Sequence, residues 1–424
     1  MSDKLNKHYR IKVSETLSAF ERQPLIRPFG FKGGYLTELW QVISTLSSAS
    51  GKYATGTGTQ SVLYGDADLF SSVSESKGNE LMFAVTKQAL ELVKTTLFSD
   101  PVELIEGIMP ALTEKAKELT CKENLNINFI YNALVSVDNA AWLLYAAENG
   151  YTSFDEMIPD VYRKALSYRN DKIAIMFQVP YGMPMHKLAA AVDDGYFVIK
   201  IKTGAPGSQE EMIRADMERL SLIHQAIGHK RTDHTPAGRI VYTMDANGRY
   251  ENKATLVRYL QHAKNIGASD HILLYEEPFV ESNDENVKDL GVRIAADESI
   301  QDESSALRRI GQGYNAIVLK GIAKTLSISL KIAKVAHQYK IPCFCSDLTV
   351  NPLLVDWHKN LAARLQPFPE IDMGMMETNG DMNYTNWNKM IGELPYKEAS
   401  WIKRRNGAFE LDKDFYEKSG GIFA

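Results

Sequence analysis

The sequence predicts a (β/α)8-type barrel, of the modified (β/α)7β kind, preceded by an N-terminal α+β capping domain. Three observations lead there. From about residue 170, short apolar or β-branched runs recur eight times, all but the first ending in a polar residue. Helical stretches separate them. The run ends at Asp245, Glu276, Asp297, Lys320 and Asp347 are 31, 21, 23 and 27 residues apart, room for one helix and two short loops each. Strands alternating with helices call for a parallel sheet, and eight such units call for a closed barrel. The expected division is 1–160 for the capping domain, 161–384 for the barrel, and a tail, 385–424, packing back on the capping domain.

In chain order, residues 9–17 (YRIKVSETL) alternate like a strand. Residues 50–70 are rich in Gly, Thr and Ser and read as loop. Residues 80–98 and 128–150 carry apolar side chains at helical spacing, and Asn149-Gly150 suits a C-cap. The eight barrel runs are 173–180, 196–202, 239–245, 271–276, 292–297, 315–320, 341–347 and 370–377. Ser208 and Glu211 have capping-box spacing ahead of a helix whose Ile213, Met217 and Leu220 share a face. Ile328, Ile332 and Val335 form a second such stripe. Residues 228–238 (GHKRTDHTPAG) read as a surface excursion, and 401–412 as a strand returning to the N-terminal domain.

Composition narrows the function. Hydrophobic residues make up 44% and charged residues 24%, values of an ordinary globular protein. The net charge of -5 gives no reason to expect a nucleic-acid partner. No apolar run approaches a membrane span, and MSDKLNKHYRIKV lacks the apolar core of a secretory signal, so a cytoplasmic protein is expected. Cys121, Cys343 and Cys345 fit neither a disulfide framework nor a zinc site. A homo-oligomer is expected.

Barrel active sites lie at the C-terminal ends of the strands. The residues there are Lys200 and Lys202, Asp245 and Asn247, Glu276, Asp297 and Lys320. Three carboxylates converging from consecutive strands repel one another unless a cation sits among them. All-oxygen ligands suit a hard divalent ion, Mg2+, with positions left open for substrate. Lys200 and Lys202 are two apart and point the same way off their strand. Their proximity, with the cation near, is expected to lower the pKa of the lysine that meets the substrate.

Lys200-Ile201-Lys202, Asp245-Ala246-Asn247, Tyr275-Glu276-Glu277-Pro278, Ala296-Asp297-Glu298-Ser299 and Val318-Leu319-Lys320 resemble, in order and spacing, the enolase superfamily. The match is to its muconate-lactonizing-enzyme-like branch, within the mandelate racemase/muconate lactonizing enzyme family. Val137-Asp138-Asn139-Ala140-Ala141-Trp142 is similar to the D-x-A-x-W helix that precedes the barrel there. The resemblance implies Mg2+ on Asp245, Glu276 and Asp297. It implies acid–base work by Lys202, carboxylate polarisation by Lys200, and Lys320 on the opposite face of the substrate. The implied reaction removes a proton α to the carboxylate of a small molecule. Racemisation or epimerisation of an amino acid derivative or dipeptide leads. A syn-dehydratase (o-succinylbenzoate synthase-like), a cycloisomerase, and a non-catalytic carboxylate-binding barrel are the rivals.

Glu277, Glu298 and Asn247 flank the expected ligands and are expected to orient them. GTGTQS (56–61) fits a flexible loop better than a dinucleotide loop. His224, His229 and His234 read as solvated, and Cys343 and Cys345 as core. The loop RPFGFKGGY (27–35) pairs mobile Gly30, Gly33 and Gly34 with the binding groups Arg27, Phe29, Phe31, Lys32 and Tyr35, and is expected to close over substrate; 53–64 is a second candidate lid. The chain departs from the family after Lys320, where Gly321-Ile322-Ala323-Lys324 replaces a Gly-Gly turn, and lacks the dipeptide epimerases' D-x-D at the eighth strand. Asp347 and Glu377, ending the seventh and eighth strands, are two further acids whose expected use is either local capping or binding a cationic group of the substrate.

Overall fold

The computed structural model describes residues 10–32 and 34–424, with only the backbone of Phe31. Residues 1–9 of the N-terminal segment read for a secretory signal, Gly33 and the Phe31 side chain lie outside the described residues.

Alternating apolar and polar residues build a four-stranded antiparallel sheet first. Its strands are β1 (Ile11–Phe31), β2 (Gly34–Ser48), β3 (Tyr53–Gln60) and β4 (Leu97–Phe98), in the order β3-β2-β1-β4. The expected strand at 9–17 thus runs on much further, and the expected loop at 27–35 is the tip of the β1–β2 hairpin, with Phe29 opposite Leu36 and Gly30 opposite Tyr35. The expected loop at 50–70 is β3 followed by the short helices α1 (Val62–Gly65) and α2 (Ala67–Ser72). The physical reason lies in the glycines. A Cβ on Gly56 would stand 2.2 Å from the Ala140 nitrogen and 2.3 Å from the Ser136 oxygen, and one on Gly58 would stand 2.8 Å from the Ser136 nitrogen. The glycines let a helix backbone lie directly on the strand.

That helix is α5 (Ile127–Asn149), preceded by α3 (Glu75–Thr95) and by α4 (Pro101–Thr120), which the sequence reading did not single out. Gly150 ends α5 in the left-handed region at φ 71, as expected. α5 is buried almost all round because it lies between sheet and barrel. On its barrel side, Asp138 accepts from the Leu326 and Ser327 backbone N–H groups at 2.8 and 3.2 Å, and Trp142 Nε1 donates to Ser327 Oγ at 3.1 Å.

After the short α6 (Phe154–Met157) and α7 (Asp160–Arg163), all eight expected barrel strands form. They are β5 (Lys172–Val179), β6 (Val198–Lys202), β7 (Val241–Asp245), β8 (Ile272–Glu276), β9 (Ile294–Ala296), β10 (Ala316–Leu319), β11 (Cys343–Cys345) and β12 (Gly374–Glu377). Neighbours in sequence are neighbours in the sheet, and β12 closes on β5 from Gly374↔Ile173 to Glu377↔Met176. The connecting helices are α8 (Met185–Asp193), α9 (Gln209–Ile227), α10 (Lys253–Asn265), α11 (Glu303–Gln312), α12 (Leu326–Gln338) and α13 (Pro352–Ala362). α12 starts at the backbone that Asp138 caps.

One interval departs from expectation. Between β8 and β9 no helix forms among the described residues. Asn283 and Asn286 accept from the backbone N–H groups two residues on, and Arg309 donates to the carbonyls of Glu281 and Asn283. Asx turns there compete with helix. A second correction concerns the tail. Residues 401–412 do not return a strand to the N-terminal domain: β13 (Arg404–Arg405) and β14 (Ala408–Glu410) form a hairpin, and β14 pairs antiparallel with barrel strand β5. β6 begins pairing only at Met176, which leaves that side of β5 free for β14. His224 and His234 are also not simply solvated, since His224 meets His271 edge-to-face and His234 stacks on Phe197. Cys343 and Cys345 are buried.

Gly56→Ala should destabilise the protein at or above the upper end of the roughly 1–3 kcal/mol typical of overpacking, because backbone rather than a flexible side chain blocks the methyl. Urea unfolding checks this, and an unchanged midpoint would show that helix and strand can part cheaply.

Candidate active site

The strand ends place their polar side chains by simple alternation. Lys200 and Lys202 leave β6 on one face, and pairing puts Lys202 level with Asp245 and Asp245 level with Glu276. Arg219 on α9 holds the rim together. Its guanidinium donates to the carbonyls of Lys202, Val179 and Pro180 at 2.5, 2.7 and 2.7 Å. Asn247 and Glu277, just beyond their strands, have φ of 46 and 36, strained values for non-glycine residues that cluster at sites of function.

Lys200, 1% exposed, is surrounded by acids. Its Nζ lies 2.9 Å from Glu276, 2.9 Å from Glu377 and 3.1 Å from Asp245, and donates to Ser346 Oγ at 3.2 Å. Lys202 donates to Asp245 at 2.5 Å and to Asn247 Oδ1 at 3.1 Å. Lys320 donates to Asp297 at 2.5 Å, with its Nζ 4.7 Å from the ring centre of Tyr64, a cation–π contact. Glu277 accepts from the Asp297 N–H and from Ser299 Oγ, tying the ends of β8 and β9. Glu298 accepts from Asn247 Nδ2 at 3.1 Å and lies 3.3 Å from the Lys32 ammonium, which brings the hairpin tip down onto the barrel.

With only protein charges around them, two of the site lysines lie high. Burial lowers them, but Asp245, Glu276 and Glu377 outweigh it at Lys200, and Asp297 does so at Lys320, so both lie above the ordinary lysine value. Burial also opposes the charge of Asp245, yet Lys200 and Lys202 hold that carboxyl below its usual range. Glu276 is the opposite case: burial and then the Asp245 charge push it well up. Burial and Glu298 push Glu277 up to about 8.

Sequence reasoning missed several members of this cluster. Lys324, four residues after Lys320, is buried and donates to the Asp297 and Ile300 carbonyls at 2.5 and 2.9 Å. Its spacing from Lys320 was the available signal. Gln178, Ser346 and Tyr64 carried none. The structure also bears on Glu377, Asp347 and the segment 53–64. Glu377 does not stand free for a substrate cation, because it accepts from Lys200, Ser346 and Gln178. Asp347 accepts from the backbone N–H groups of Leu348, Val350 and Asn379, the local capping use. And 53–64 is a strand and a helix that seat Tyr64, not a lid.

A small inner cavity of about 40 Å3 is walled by Lys202, Lys320, Asp245, Glu298, Tyr64 and Phe29 among others. It adjoins an outer cavity of about 540 Å3, which Lys202, Asn247 and Phe29 also line, together with Arg27 and Lys32 of the hairpin. A third cavity, about 920 Å3, surrounds Val241, Ile272 and Arg293 near the opposite ends of the strands, and none of the clustered lysines or carboxylates lines it.

Residues 185–392 match the family model of the enolase C-terminal domain. The barrel is that of the enolase superfamily. No curated protein matches the sequence. Among solved structures, a dipeptide epimerase from Cytophaga hutchinsonii, in complex with Mg and D-Ala-L-Val, superposes with a TM-score of 0.64 at 18% identity, over 96% of this chain and 98% of that one. A dipeptide epimerase from Enterococcus faecalis V583, with Mg and L-Leu-L-Tyr, gives 0.64 at 16% identity over 95% and 98%. A mandelate racemase/muconate lactonizing protein from Herpetosiphon aurantiacus gives 0.62 at 14% over 95% and 96%. These likenesses establish a shared fold. Among the described residues, no helix is long and apolar enough to cross a membrane.

Whether the strand-end carboxylates suit a metal ion can be judged from their oxygens. No group of three or more His, Cys, Asp or Glu side chains among the described residues forms a ready cage. The lysines explain this, since their ammoniums draw the Asp245, Glu276 and Asp297 oxygens toward themselves. Yet Glu277 Oε1 and Glu298 Oε2 are buried without a hydrogen-bond donor. Burial and neighbouring acids also push the Glu276 and Glu277 carboxyls up, so both are short of positive charge. Buried acceptors without a donor, and carboxyls short of positive charge, fit a hard divalent cation.

Mg2+ should therefore raise the thermal unfolding midpoint, by the equivalent of about 2.7 kcal/mol at a hundredfold excess over Kd. EDTA should reverse the shift and Asp245→Asn should reduce it. A midpoint indifferent to Mg2+ in calorimetry would remove the metal from the site.

Proposed function

We propose that the protein is an isomerase that removes and returns the proton on the carbon α to a carboxylate, as a racemase or epimerase of an amino acid derivative or dipeptide. One observation carries this reading. Lys202 ends β6 and Lys320 follows β10, strands four steps apart in a ring of eight, and both line the same inner cavity. Two ammonium/amine groups on opposite walls can serve opposite faces of one carbon.

The α-proton of a carboxylate is weakly acidic, because its removal adds a second negative charge to the group. A bound Mg2+, held by Asp245, Glu276 and Asp297, supplies the charge that offsets it. Lys202 and Lys320 exchange the proton, each acting as base on its own face and as acid when the proton arrives from the other. Lys200, below the cavity and ion-paired to Asp245, Glu276 and Glu377, adds fixed positive charge beneath the reacting carboxylate and holds those acids in place. Glu277, Glu298 and Asn247 orient the ligand carboxylates. The dipeptide epimerases of the same fold support the reaction type.

Lys320→Ala should abolish α-proton exchange from one enantiomer and Lys202→Ala from the other, each losing about 10²–10⁴-fold in turnover. Deuterium incorporation from D2O, followed by NMR over amino acid derivatives and dipeptides, measures both. Loss of water or ring closure without exchange would replace isomerisation by a syn-dehydratase or cycloisomerase. Metal binding without exchange on any acid would leave a carboxylate-binding barrel.

A further inference from the structure

The outer cavity says something about the rest of the substrate. Its lining contains four cationic side chains, Arg27, Lys32, Lys202 and Arg249, and, among the described residues, no Asp or Glu. Two of the four are already paired, Lys32 with Glu298 and Lys202 with Asp245. Arg27 and Arg249 have no ion-pair or side-chain hydrogen-bond partner among the described residues. The Nε of Arg249 is buried without an acceptor. A buried donor left unmet is costly and marks a place where a ligand atom completes the bonding.

The placement of Arg249 is built in. It follows β7 by four residues, and its stem lies on Gly204, where a Cβ would stand 2.9 Å from both Arg249 Cβ and Cδ. Gly204 has φ +81, so the loop after β6 turns in a conformation that leaves this space. The buried acid beside that loop, Asp216, is committed elsewhere, accepting from the Gly204 N–H at 2.7 Å and the Tyr250 hydroxyl at 2.8 Å. Arg27 faces the same cavity from the exposed strand of the hairpin.

We propose that Arg27 and Arg249 bind a second anionic group of the substrate, a carboxylate, remote from the carboxylate that reacts. This rests on the reading of the inner cavity as the reaction site, and it reverses the expectation of a cationic distal group. Guanidinium groups take carboxylates in paired hydrogen bonds, and desolvation in a partly enclosed cavity strengthens them.

Calorimetric titration of the Mg2+-loaded full chain with straight-chain diacids (glutarate, adipate, pimelate) and the monoamide of each tests the proposal without turnover. At least one diacid should bind about tenfold or more tightly than its own monoamide. Arg249→Met and, separately, Arg27→Met should bring that ratio toward one; Arg27 sits on an exposed hairpin, so its variant tests the idea even if Arg249→Met folds poorly. Equal affinity of every diacid and its monoamide in the unaltered protein, no binding of any of them, or an unchanged ratio in both variants would overturn it. A diacid preference without α-proton exchange on any substrate would sink the proposed reaction alone. Exchange on monoacids and diacids alike, with no charge preference in binding, would sink this inference alone.

Discussion

Everything at the mouth of this barrel depends on the burial of like charges beside opposite ones. Lys200 carries the arrangement. It is fully enclosed and touches carboxylates from three other strands, β7, β8 and β12. A buried ammonium without partners would be intolerable, and so would the acids without it. The ring of strands therefore has to close in a register that brings Asp245, Glu276 and Glu377 to one height. Removing one partner from such a network leaves an unpaired buried charge, typically a loss of about 3–5 kcal/mol. The same network holds the chemistry and constrains the fold around it.

The barrel was legible in the sequence because parallel strands buried on both faces read as short apolar runs, and because every run after the first ends at a charge. All eight strands follow from that. The connection from Glu276 to Asp297 was misread since an interval length says nothing about Asx turns that stop a helix. The Gly-Thr segment at 53–60 was misread for a different reason. Glycine and threonine look like loop when taken alone, and only the backbone of α5 lying on Gly56 and Gly58 makes the segment a strand. The tail was visible as a strand, but its partner was set by the stagger between β5 and β6, which no local pattern encodes.

At the site, the lysines and carboxylates at strand ends were readable, while their partners were not. Glu377 could be seen as an acid at the mouth, yet its commitment to Lys200 follows from the closure of β12 on β5. Lys324 lay outside any strand end. Arg249 had no signal at all until Gly204, nearly fifty residues before it in sequence, was seen to lie beneath its stem. What a residue is can be read locally; what its charge is spent on is a property of the closed ring.

The cap that Asp138 places on the first turn of α12 has a consequence for access. α5 bears on the strand glycines with one side and on the helix following Lys320 with the other, so the N-terminal sheet cannot swing away as a plate without tearing that latch. What remains open is the rim under the outer hairpin. The hairpin's pairing register breaks between Pro24 and Phe29, and Arg27, within that break, lines the outer cavity together with Phe29 and Lys32. The roof of this enclosure is bolted down, and the irregular outer hairpin is its rim.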